Sequence, residues 1–396
     1  MICQKLKETV NSPSSGVIRK MFEEGAILKQ KYGAENVYDF SLGNPDLDPP
    51  QKVLDAINQV VSEETHLSHG YMPNPGYVET RVAMAKKTEV EQGVSVEYSN
   101  VIMAVGAAGA LNVVMKTLLN PEDEVVVPCP YFAEYDHYIK NYNGNIVRVS
   151  TKKDFSLDIN AIKVALSEKT AAVLINSPNN PSGRIYSQEE ILELVQVLKE
   201  HGKATGRFPY LICDEPYRAI TYDNKKVASV FPYYDYSIIV TSFAKNLSLP
   251  GERIGYVCIN PSCPEKTDFL ACAIFATRTL GYVNAPAFFQ KVVALSWDAE
   301  CDYSLYEKRR NQLMQIMDEA GFEYARPEGA FYLFVKVPDN WNDDDMAYVN
   351  HLKKYNILCA PGSGFGGKGW FRIAYCVSEQ TILNSKDAWI KARKES

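Results

Sequence analysis

Seven short apolar runs along the chain predict strands that are buried on both faces: VIMAVG (101–106), EVVVPCP (124–130), NIVRVS (145–150), AAVLINSP (171–178), YLICDEP (210–216), SIIVTSFA (237–244) and IGYVCIN (254–260). Most runs are separated by segments with helical spacing, such as IYSQEEILELVQVLKEHG, in which Ser187 and Glu190 predict a capping box. This alternation predicts a mostly parallel seven-stranded sheet between two layers of helices, a three-layer α/β/α domain. The link between the last two runs is too short for a crossover, so we expect one antiparallel strand there.

The pattern changes beyond about residue 300. A charged helical stretch, YEKRRNQLMQIMDEAG, is followed by the alternating run FYLFVKV and then by NILCAPG and WFRIAYC. These segments predict a smaller α+β domain. The predicted division is therefore a large domain at 45–295 and a small domain made of 1–44 and 296–396.

Composition narrows the class of protein. The chain has 396 residues, of which 46% are hydrophobic and 23% charged, enough for a large core or two domains. The net charge of -6 argues against nucleic acid or an anionic membrane as a partner, because such binding requires clustered Lys and Arg. Nine cysteines without a C-x-x-C pair, and no apolar run of about eighteen residues, predict a cytoplasmic protein without a membrane span. The five histidines show no metal-ligand spacing, so we expect no metal.

Ligands of parallel α/β sheets collect beyond the carboxyl ends of the strands, so the residues that follow each run are candidates for a site. After the first run, GAAGALNVV offers backbone N–H groups at a helix start, a natural phosphate seat, although a tightly packed helix start is the commoner explanation of such a segment. After the fourth run, SPNNPSG holds Asn180 between prolines, and an ordinary turn is an equally good explanation.

Charged residues follow the fifth and sixth runs. Asp214 at the end of an apolar strand needs a cationic or hydrogen-bonding partner, and a carboxylate there could hold a proton on a heteroaromatic nitrogen. Lys245 would lose affinity for its proton in a desolvated place and become a nucleophile toward an aldehyde, although strand-end lysines are more often surface residues. Ser242 and the bidentate fork of Arg253 suit a phosphate. An aldehyde, a basic ring nitrogen and a phosphate together indicate pyridoxal phosphate.

Motifs spread over essentially the whole chain resemble the fold-type I pyridoxal-phosphate aminotransferases of class I/II, the aspartate aminotransferase superfamily. They are SLGNPDLDPP (41–50), GYMPNPGYVETR (70–81), SPNNPSG, CDEPY, SFAKNLSLPGERIGY and FRIAY (371–375). The resemblance implies an aminotransferase that moves the amino group of an L-amino acid to a 2-oxo acid such as 2-oxoglutarate by a ping-pong cycle. It also implies a homodimer with shared active sites.

The resemblance assigns cofactor roles to residues of these motifs. Lys245 resembles the Schiff-base lysine that also moves the substrate proton, and Asp214 resembles the acid that pairs with the pyridinium nitrogen. Tyr217 and Asn180 match the partners of the ring hydroxyl, and Tyr131 resembles the aromatic residue that stacks on the ring. The positions that match the family's phosphate site are Ala107 and Ala108 (through their backbone), Ser242, Arg253 and, reaching the phosphate of the neighbouring subunit, Tyr71.

Substrate roles follow in the same way. Arg372 resembles the arginine that clamps the substrate α-carboxylate, a task suited to a planar fork, and Gly43 and Asn180 resemble further contacts of the substrate. No lysine stands near Ala108, where some aspartate-specific relatives hold a side-chain carboxylate, so the donor remains open. The tyrosine-rich segment YFAEYDHYIKNY fits a solvated amphipathic helix better than a substrate pocket.

Two other functions remain as alternatives. A β-elimination C–S lyase on the same fold differs in the site rather than in the scaffold. A pyridoxal-phosphate-binding regulator would need an added helix-turn-helix segment, and the forty-odd residues before SLGNPD are too short and too weakly basic to supply one.

Overall fold

A computed structural model describes residues 2–11 and 17–396. The strands are β1 (Tyr38–Asp39), β2 (Val101–Ala104), β3 (Glu124–Cys129), β4 (Asn145–Ser150), β5 (Thr170–Asn176), β6 (Tyr210–Asp214), β7 (Ser237–Ser242), β8 (Gly255–Ile259), β9 (Tyr324–Ala325), β10 (Tyr332–Lys336), β11 (Ile357–Leu358), β12 (Ala360–Pro361) and β13 (Trp370–Ala374). The helices are α1 (Gln4–Asn11), α2 (Val17–Tyr32), α3 (Gln51–Ser62), α4 (Val78–Gln92), α5 (Gly106–Leu118), α6 (Tyr135–Lys140), α7 (Ile159–Ala165), α8 (Gln188–Thr205), α9 (Phe243–Asn246), α10 (Lys266–Thr279), α11 (Ala287–Ser296), α12 (Ser304–Ala320), α13 (Asp345–Leu352), α14 (Glu379–Asn384) and α15 (Lys386–Lys394). Short 3-10 helices lie at Ala34–Asn36, Tyr98–Asn100, Asp339–Trp341, Lys353–Tyr355 and Gly362–Phe365.

The seven predicted runs form one sheet with the strand order β2-β8-β7-β6-β5-β3-β4. Neighbouring strands from β4 through β7 pair in parallel, whereas β8 is antiparallel to both β7 and β2. The prediction of a mostly parallel sheet with one antiparallel strand is therefore confirmed. Because β5, β6 and β7 are parallel neighbours, their carboxyl ends open onto the same edge of the sheet.

Helices cover both faces of this sheet. Alternate residues of β5 point to opposite sides: Val173 and Ile175 pack with α3, α4, α8 and α11, and Ala172 and Leu174 pack with α5 and α10. The capping box predicted at Ser187 forms at the start of α8, where the serine hydroxyl accepts the Glu190 N–H and the glutamate accepts the Ser187 N–H. The three-layer α/β/α architecture is confirmed.

One strand differs from the prediction of burial on both faces. In β4 only Val149 is buried, while Asn145, Arg148 and Ser150 are exposed. The strand lies at the edge of the sheet and pairs with β3 alone, so helices cover it less completely than the central strands. An edge position also explains why a run with an arginine in its middle is accommodated.

The C-terminal part of the chain forms a second, four-stranded antiparallel sheet with the order β12-β13-β10-β9. The N-terminal strand β1 pairs with β11, and buried residues at Met21, Val37 and Phe40 share a core with α12, α15 and this sheet. These contacts support the division into 45–295 and 1–44 with 296–396, which we keep as a proposal. Within that range Met1 and residues 12–16 lie outside the described residues.

Across the described residues, no helix combines the length and the apolar character needed to cross a membrane. The nine cysteines are free thiols, and six of them are buried.

Candidate active site

A cavity of about 280 Å³ lies beyond the carboxyl ends of β5, β6 and β7, where the α/β topology predicts a ligand site. The N-terminal turn of α5 and the short helix α9 complete its wall. The lining residues are Ala107, Ala108, Leu111, Phe132, Tyr138, Asn176, Asn180, Asp214, Pro216, Tyr217, Ser242, Ala244, Lys245, Pro250 and Arg253. Eight residues with predicted cofactor roles therefore share one cavity: Ala107, Ala108, Asn180, Asp214, Tyr217, Ser242, Lys245 and Arg253.

Lys245 enters the cavity from α9, which follows β7 directly. Its Nζ donates a hydrogen bond of 2.8 Å to the carbonyl oxygen of Gly43. The pKa of this ammonium group is lowered to about 8, chiefly by burial and also by the positive charges of Arg372 and Arg253, while Cys376 opposes the shift. A substantial fraction of the amine is therefore neutral, and nucleophilic, at mildly alkaline pH.

Asp214 ends β6 and is only 5% exposed. Its Oδ2 accepts a hydrogen bond of 2.5 Å from the hydroxyl of Tyr135, whereas its Oδ1 is buried without a hydrogen-bond partner among the described residues. Burial raises the pKa of this carboxyl to about 7, and the Tyr135 hydrogen bond counteracts the rise. A buried carboxylate oxygen that lacks a donor is suited to a protonated ring nitrogen, which would supply both the hydrogen bond and the positive charge.

Two side chains next to Asp214 carry the hydrogen-bonding groups expected around a ring hydroxyl. The Tyr217 hydroxyl lies 2.8 Å from the hydroxyl of Tyr332. Asn180 donates its backbone N–H to Oδ1 of Asn176 at 2.7 Å, and Asn176 donates to the Asp214 carbonyl oxygen at 2.8 Å. These bonds fix the loop that carries Asn180 against the strand that carries Asp214.

The start of α5 forms a cradle for an anion. Gly106 adopts a left-handed φ of 66°, and no side chain caps the helix, so its first N–H groups remain available beside Ala107 and Ala108. A Cβ atom built on Gly106 would lie 3.0 Å from Nη2 of Arg253, which shows how closely the guanidinium approaches the helix start. Ser242 lies in the same wall. Together with the unpaired Asp214 oxygen and the Lys245 amine, this cradle fits pyridoxal 5'-phosphate.

Arg372 lies beside the cavity on β13 and is 3% exposed. Its Nη1 donates to Oδ1 of Asn180 at 3.0 Å and its Nη2 donates to the Ser41 carbonyl oxygen at 2.8 Å, whereas its Nε has no partner within residues 2–11 and 17–396. The rings of Tyr332 and Phe365 lie 4.6 Å and 4.7 Å from its Cζ. The guanidinium is therefore held in one plane by bonds and by two aromatic faces.

Gly43 approaches the same region through its backbone. A Cβ atom added there would lie 2.1 Å from the Tyr332 hydroxyl, so no residue with a side chain fits without displacing that tyrosine. Its carbonyl oxygen accepts from Lys245 at 2.8 Å. Gly43, Lys245 and Arg372 thus converge on one side of the site.

The structure does not place Tyr131 in the cavity wall. Its hydroxyl donates to Asp136 at 2.7 Å and accepts from Nε of Arg148 at 2.8 Å, and the neighbouring Phe132 lines the cavity instead. The Tyr131 backbone N–H donates to the carbonyl oxygen of Phe365, which fixes the turn after β3 so that the tyrosine ring faces β4. The two aromatic residues are adjacent at the start of the run YFAEYDHYIKNY, so the sequence alone does not distinguish them.

Other residues were missed or interpreted differently. Tyr135 belongs to the segment interpreted as a solvated helix, yet its side chain is 1% exposed and bonded to Asp214. Tyr332, within the run FYLFVKV, shows no signal beyond that of a core residue. Tyr71 is 94% exposed and does not line the cavity of this chain.

Comparisons with known proteins agree with this geometry. A family model described as aminotransferase class I and II matches residues 35–385. The chain is 29% identical to a probable aspartate/prephenate aminotransferase of Aquifex aeolicus, with 91% of this chain and 92% of that protein covered. It is 27% identical to the aromatic-amino-acid aminotransferase 2 of Thermococcus litoralis, with 98% of each covered.

Solved structures give the same result. An amino transferase from Eubacterium rectale superposes with a TM-score of 0.95 at 37% identity, over 100% of this chain and 99% of that one. The Thermus thermophilus aspartate aminotransferase with maleate has a TM-score of 0.86 over 99% of each chain, and at 24% identity it supports the fold alone.

The chain belongs to the aminotransferase class I and II family. It is a fold-type I, pyridoxal 5'-phosphate-dependent aminotransferase, similar to aspartate aminotransferases, and its substrates are an amino acid and a 2-oxo acid. These comparisons do not favour the C–S lyase alternative, since the relatives named above are aminotransferases.

Proposed function

We propose that the enzyme transfers the amino group of an L-amino acid to a 2-oxo acid, with 2-oxoglutarate as the acceptor, by a ping-pong mechanism that uses Lys245. The observation that carries this proposal is the Lys245 amine. Burial lowers its pKa to about 8, and it lies in the same cavity as the unpaired oxygen of Asp214 and the open start of α5.

The proposed cofactor contacts follow from this geometry. Asp214 Oδ1 would hold the proton on the ring nitrogen, Tyr217 and Asn180 would bond the ring hydroxyl, and Phe132 would pack on the ring in place of the expected Tyr131. The backbone of Ala107 and Ala108, with Ser242 and Arg253, would hold the phosphate. When bound, the cofactor supplies the aldehyde that takes up the amino group and the electron sink that stabilises negative charge at the α-carbon.

We propose two tasks for Lys245. Its neutral amine would hold the cofactor at its aldehyde group, and the amine when free would take a proton from the substrate α-carbon and return it. The hydrogen bond from Nζ to the Gly43 carbonyl oxygen shows that the side chain reaches across to the side of the site where Arg372 lies.

Arg372 is the proposed clamp for the α-carboxylate, assisted by Asn180 and by the backbone of Gly43. Amino acids and 2-oxo acids both carry a carboxylate next to the reacting carbon, so one clamp serves both half-reactions. That sharing supports a ping-pong order, in which the second substrate occupies the place that the first product has left.

We also propose a homodimer in which Tyr71 completes the phosphate site of the neighbouring subunit. The 94% exposure of Tyr71 supports this role, because a ring so exposed on one chain is available to another. Exposed apolar residues nearby in sequence, Leu67, Val78 and Val82, support an interface there. Light scattering of the holoenzyme tests the dimer: a monomer that turns over at full rate would refute it. The cytoplasmic location expected from the free cysteines remains a prediction.

The first experiment is a half-reaction. Purified holoenzyme is mixed with single amino acids, acidic, aromatic and aliphatic, without any 2-oxo acid, and its visible spectrum is recorded. One oxo acid formed per site, with stoichiometric loss of the visible band, is the expected result and ranks the donors. Continuous release of ammonia and pyruvate from sulfur amino acids with the band retained would instead establish the lyase reaction.

A further inference from the structure

Tyr332 contacts three residues of the proposed site without lining the cavity itself. Its hydroxyl lies 2.8 Å from the Tyr217 hydroxyl, and its ring lies 4.6 Å from Cζ of Arg372. The same hydroxyl occupies the space that a Cβ atom on Gly43 would need. Tyr332 is 2% exposed. Its hydroxyl contacts Tyr217, and one face of its ring contacts Arg372.

The register of the second sheet sets the contact with Arg372. In the antiparallel pair of β10 and β13, Arg372 lies opposite Phe334 and Tyr332 lies opposite Ala374. Tyr332 and Arg372 are therefore a diagonal pair on one face of the sheet, at the separation where an aromatic and a long side chain meet. The strands, rather than a flexible loop, bring the ring to the guanidinium.

The hydroxyl contact has a defined donor once Tyr217 binds the cofactor. A tyrosine hydroxyl donates a single hydrogen bond. If the proton of Tyr217 is directed to the ring oxygen of the cofactor, the bond between the two tyrosines requires that Tyr332 donate.

We propose that Tyr332 is a positioning residue that links the partner of the cofactor hydroxyl to the carboxylate clamp. Its hydroxyl donates to the Tyr217 oxygen and thereby directs the Tyr217 proton to the cofactor, and its ring holds the Arg372 guanidinium in the plane that a carboxylate requires. The inference rests on the proposed roles of Tyr217 and Arg372.

Tyr332→Phe tests the hydroxyl. Loss of the donor weakens the hydrogen bond from Tyr217 to the deprotonated cofactor hydroxyl, so the pKa of the visible absorption band of the resting holoenzyme should rise by about half a pH unit or more. The KM for the amino acid should stay within about twofold, because the ring over Arg372 remains.

Tyr375→Phe is the matched control. Tyr375 is another fully buried tyrosine in the same core, and its hydroxyl contacts the Tyr222 hydroxyl at 3.4 Å and the Ala330 carbonyl oxygen at 3.3 Å. The band pKa of this variant should equal that of the wild type. A shift of the same size in Tyr375→Phe would show that any lost hydroxyl in this core has the effect, and would overturn the proposal.

Tyr332→Leu tests the ring. Removal of the aromatic face should raise the KM for the amino acid by about 5- to 30-fold beyond that of Tyr332→Phe. Equal KM values in the Leu and Phe variants would refute the positioning of Arg372.

Tyr217→Phe separates failure of this inference from failure of the proposed function. If Tyr217→Phe leaves the band pKa unchanged, the proposed role of Tyr217 is wrong. If Tyr217→Phe shifts the band pKa and Tyr332→Phe does not, only the role of Tyr332 is wrong.

The double variant tests the link between the two tyrosines. Its band pKa should equal that of Tyr217→Phe alone, since the Tyr332 hydroxyl acts through Tyr217, and additive shifts would contradict the link. Loss of cofactor binding with a large fall in Tm, seen in Tyr332→Phe but not in Tyr375→Phe, would give Tyr332 a structural role instead.

Discussion

Two buried charged side chains of the site, Asp214 and Arg372, differ in how fully their polar atoms are bonded. In the part of the chain that the structure describes, Asp214 has one hydroxyl donor, from Tyr135, and one oxygen without a hydrogen-bond partner. Arg372 has both of its Nη atoms bonded to fixed acceptors and two aromatic rings against its guanidinium, and among the described residues its Nε has no hydrogen-bond partner. The carboxylate is incomplete without a cation, whereas the guanidinium is already oriented.

This difference matches the proposed roles of the two residues: Asp214 binds the cofactor and Arg372 binds the substrate. Burial without a counter-charge raises the pKa of Asp214 to about 7, so binding of a protonated ring nitrogen should change the protonation of this group. The clamp at Arg372 needs no such change, because its geometry is set by Asn180, Ser41 and the rings before a carboxylate arrives. Substitutions of Asp214 should therefore change kcat and the Kd of the cofactor, whereas substitutions of Arg372 should change the KM of the substrates.

The largest effect is expected from Lys245, which lines the cavity together with Asp214 and donates to the Gly43 carbonyl oxygen. Lys245→Ala removes the amine that binds the cofactor aldehyde and moves the proton, so turnover should fall by at least about 10³-fold in a steady-state assay, with the fold retained by circular dichroism. Lys266→Ala is a matched control, because Lys266 also donates to a backbone carbonyl oxygen at 2.8 Å but lies outside the cavity. Wild-type rates in Lys245→Ala would contradict the assignment.

The second-largest effect is expected from substitution of Asp214. Asp214→Asn keeps the shape of the side chain and removes its charge, so kcat should fall by about 100-fold and the Kd of the cofactor should rise by about tenfold. Spectroscopic titration of cofactor-free protein gives the Kd. Asp136→Asn, at a carboxylate bonded to Tyr131 and Arg148 outside the cavity, should change neither value. A normal kcat in Asp214→Asn would mean that the charge is not required.

Substitution of Arg372 should change substrate binding but not cofactor binding. Arg372→Lys replaces a planar fork with a point charge, so the KM for both the amino acid and the 2-oxo acid should rise by about 10- to 100-fold, with little change in the Kd of the cofactor. Arg148→Lys serves as the control, since Arg148 bonds Tyr131 and Asp136 away from the cavity. An Arg372→Lys enzyme with normal KM and weakened cofactor binding would reverse the assignment of the two sides.

The sequence was more informative about the surroundings of Asp214 and Lys245 than about those of Arg372. Asp214 and Lys245 follow apolar strands directly, and the parallel topology brings the carboxyl ends of those strands together. The surroundings of Arg372 depend instead on cross-strand register and on Ser41 and Asn180, which are distant along the chain, and a single run reveals neither. For this reason the sequence held no signal for Tyr332, and it could not distinguish Phe132 from Tyr131, whose backbone N–H is bonded to the carbonyl oxygen of Phe365.

The smallest effect is on the stability of the cofactor-free protein. The pKa of Asp214 is raised from 3.8 to about 7 in the folded state, so its contribution to stability is present at low pH and is lost as the pH rises from about 4 through about 7. Asp214→Asn removes this loss. The difference in unfolding free energy between the variant and the wild type should therefore grow in favour of the variant by about 1–3 kcal/mol between about pH 4.5 and about pH 7.5.

Denaturant unfolding across this pH range measures that difference, and comparison at each pH cancels the similar contribution of Glu215, whose pKa burial also raises to about 7. Lys245 affects the unfolding free energy over a different pH range. Because its pKa is lowered in the folded state, it removes stability as the pH falls from about 10.5 through about 8. With cofactor added the sign should reverse, since the wild type then gains an ion pair that Asp214→Asn cannot form. A difference that is constant with pH in the cofactor-free protein would mean that Asp214 is already paired, and the contrast with Arg372 would not hold.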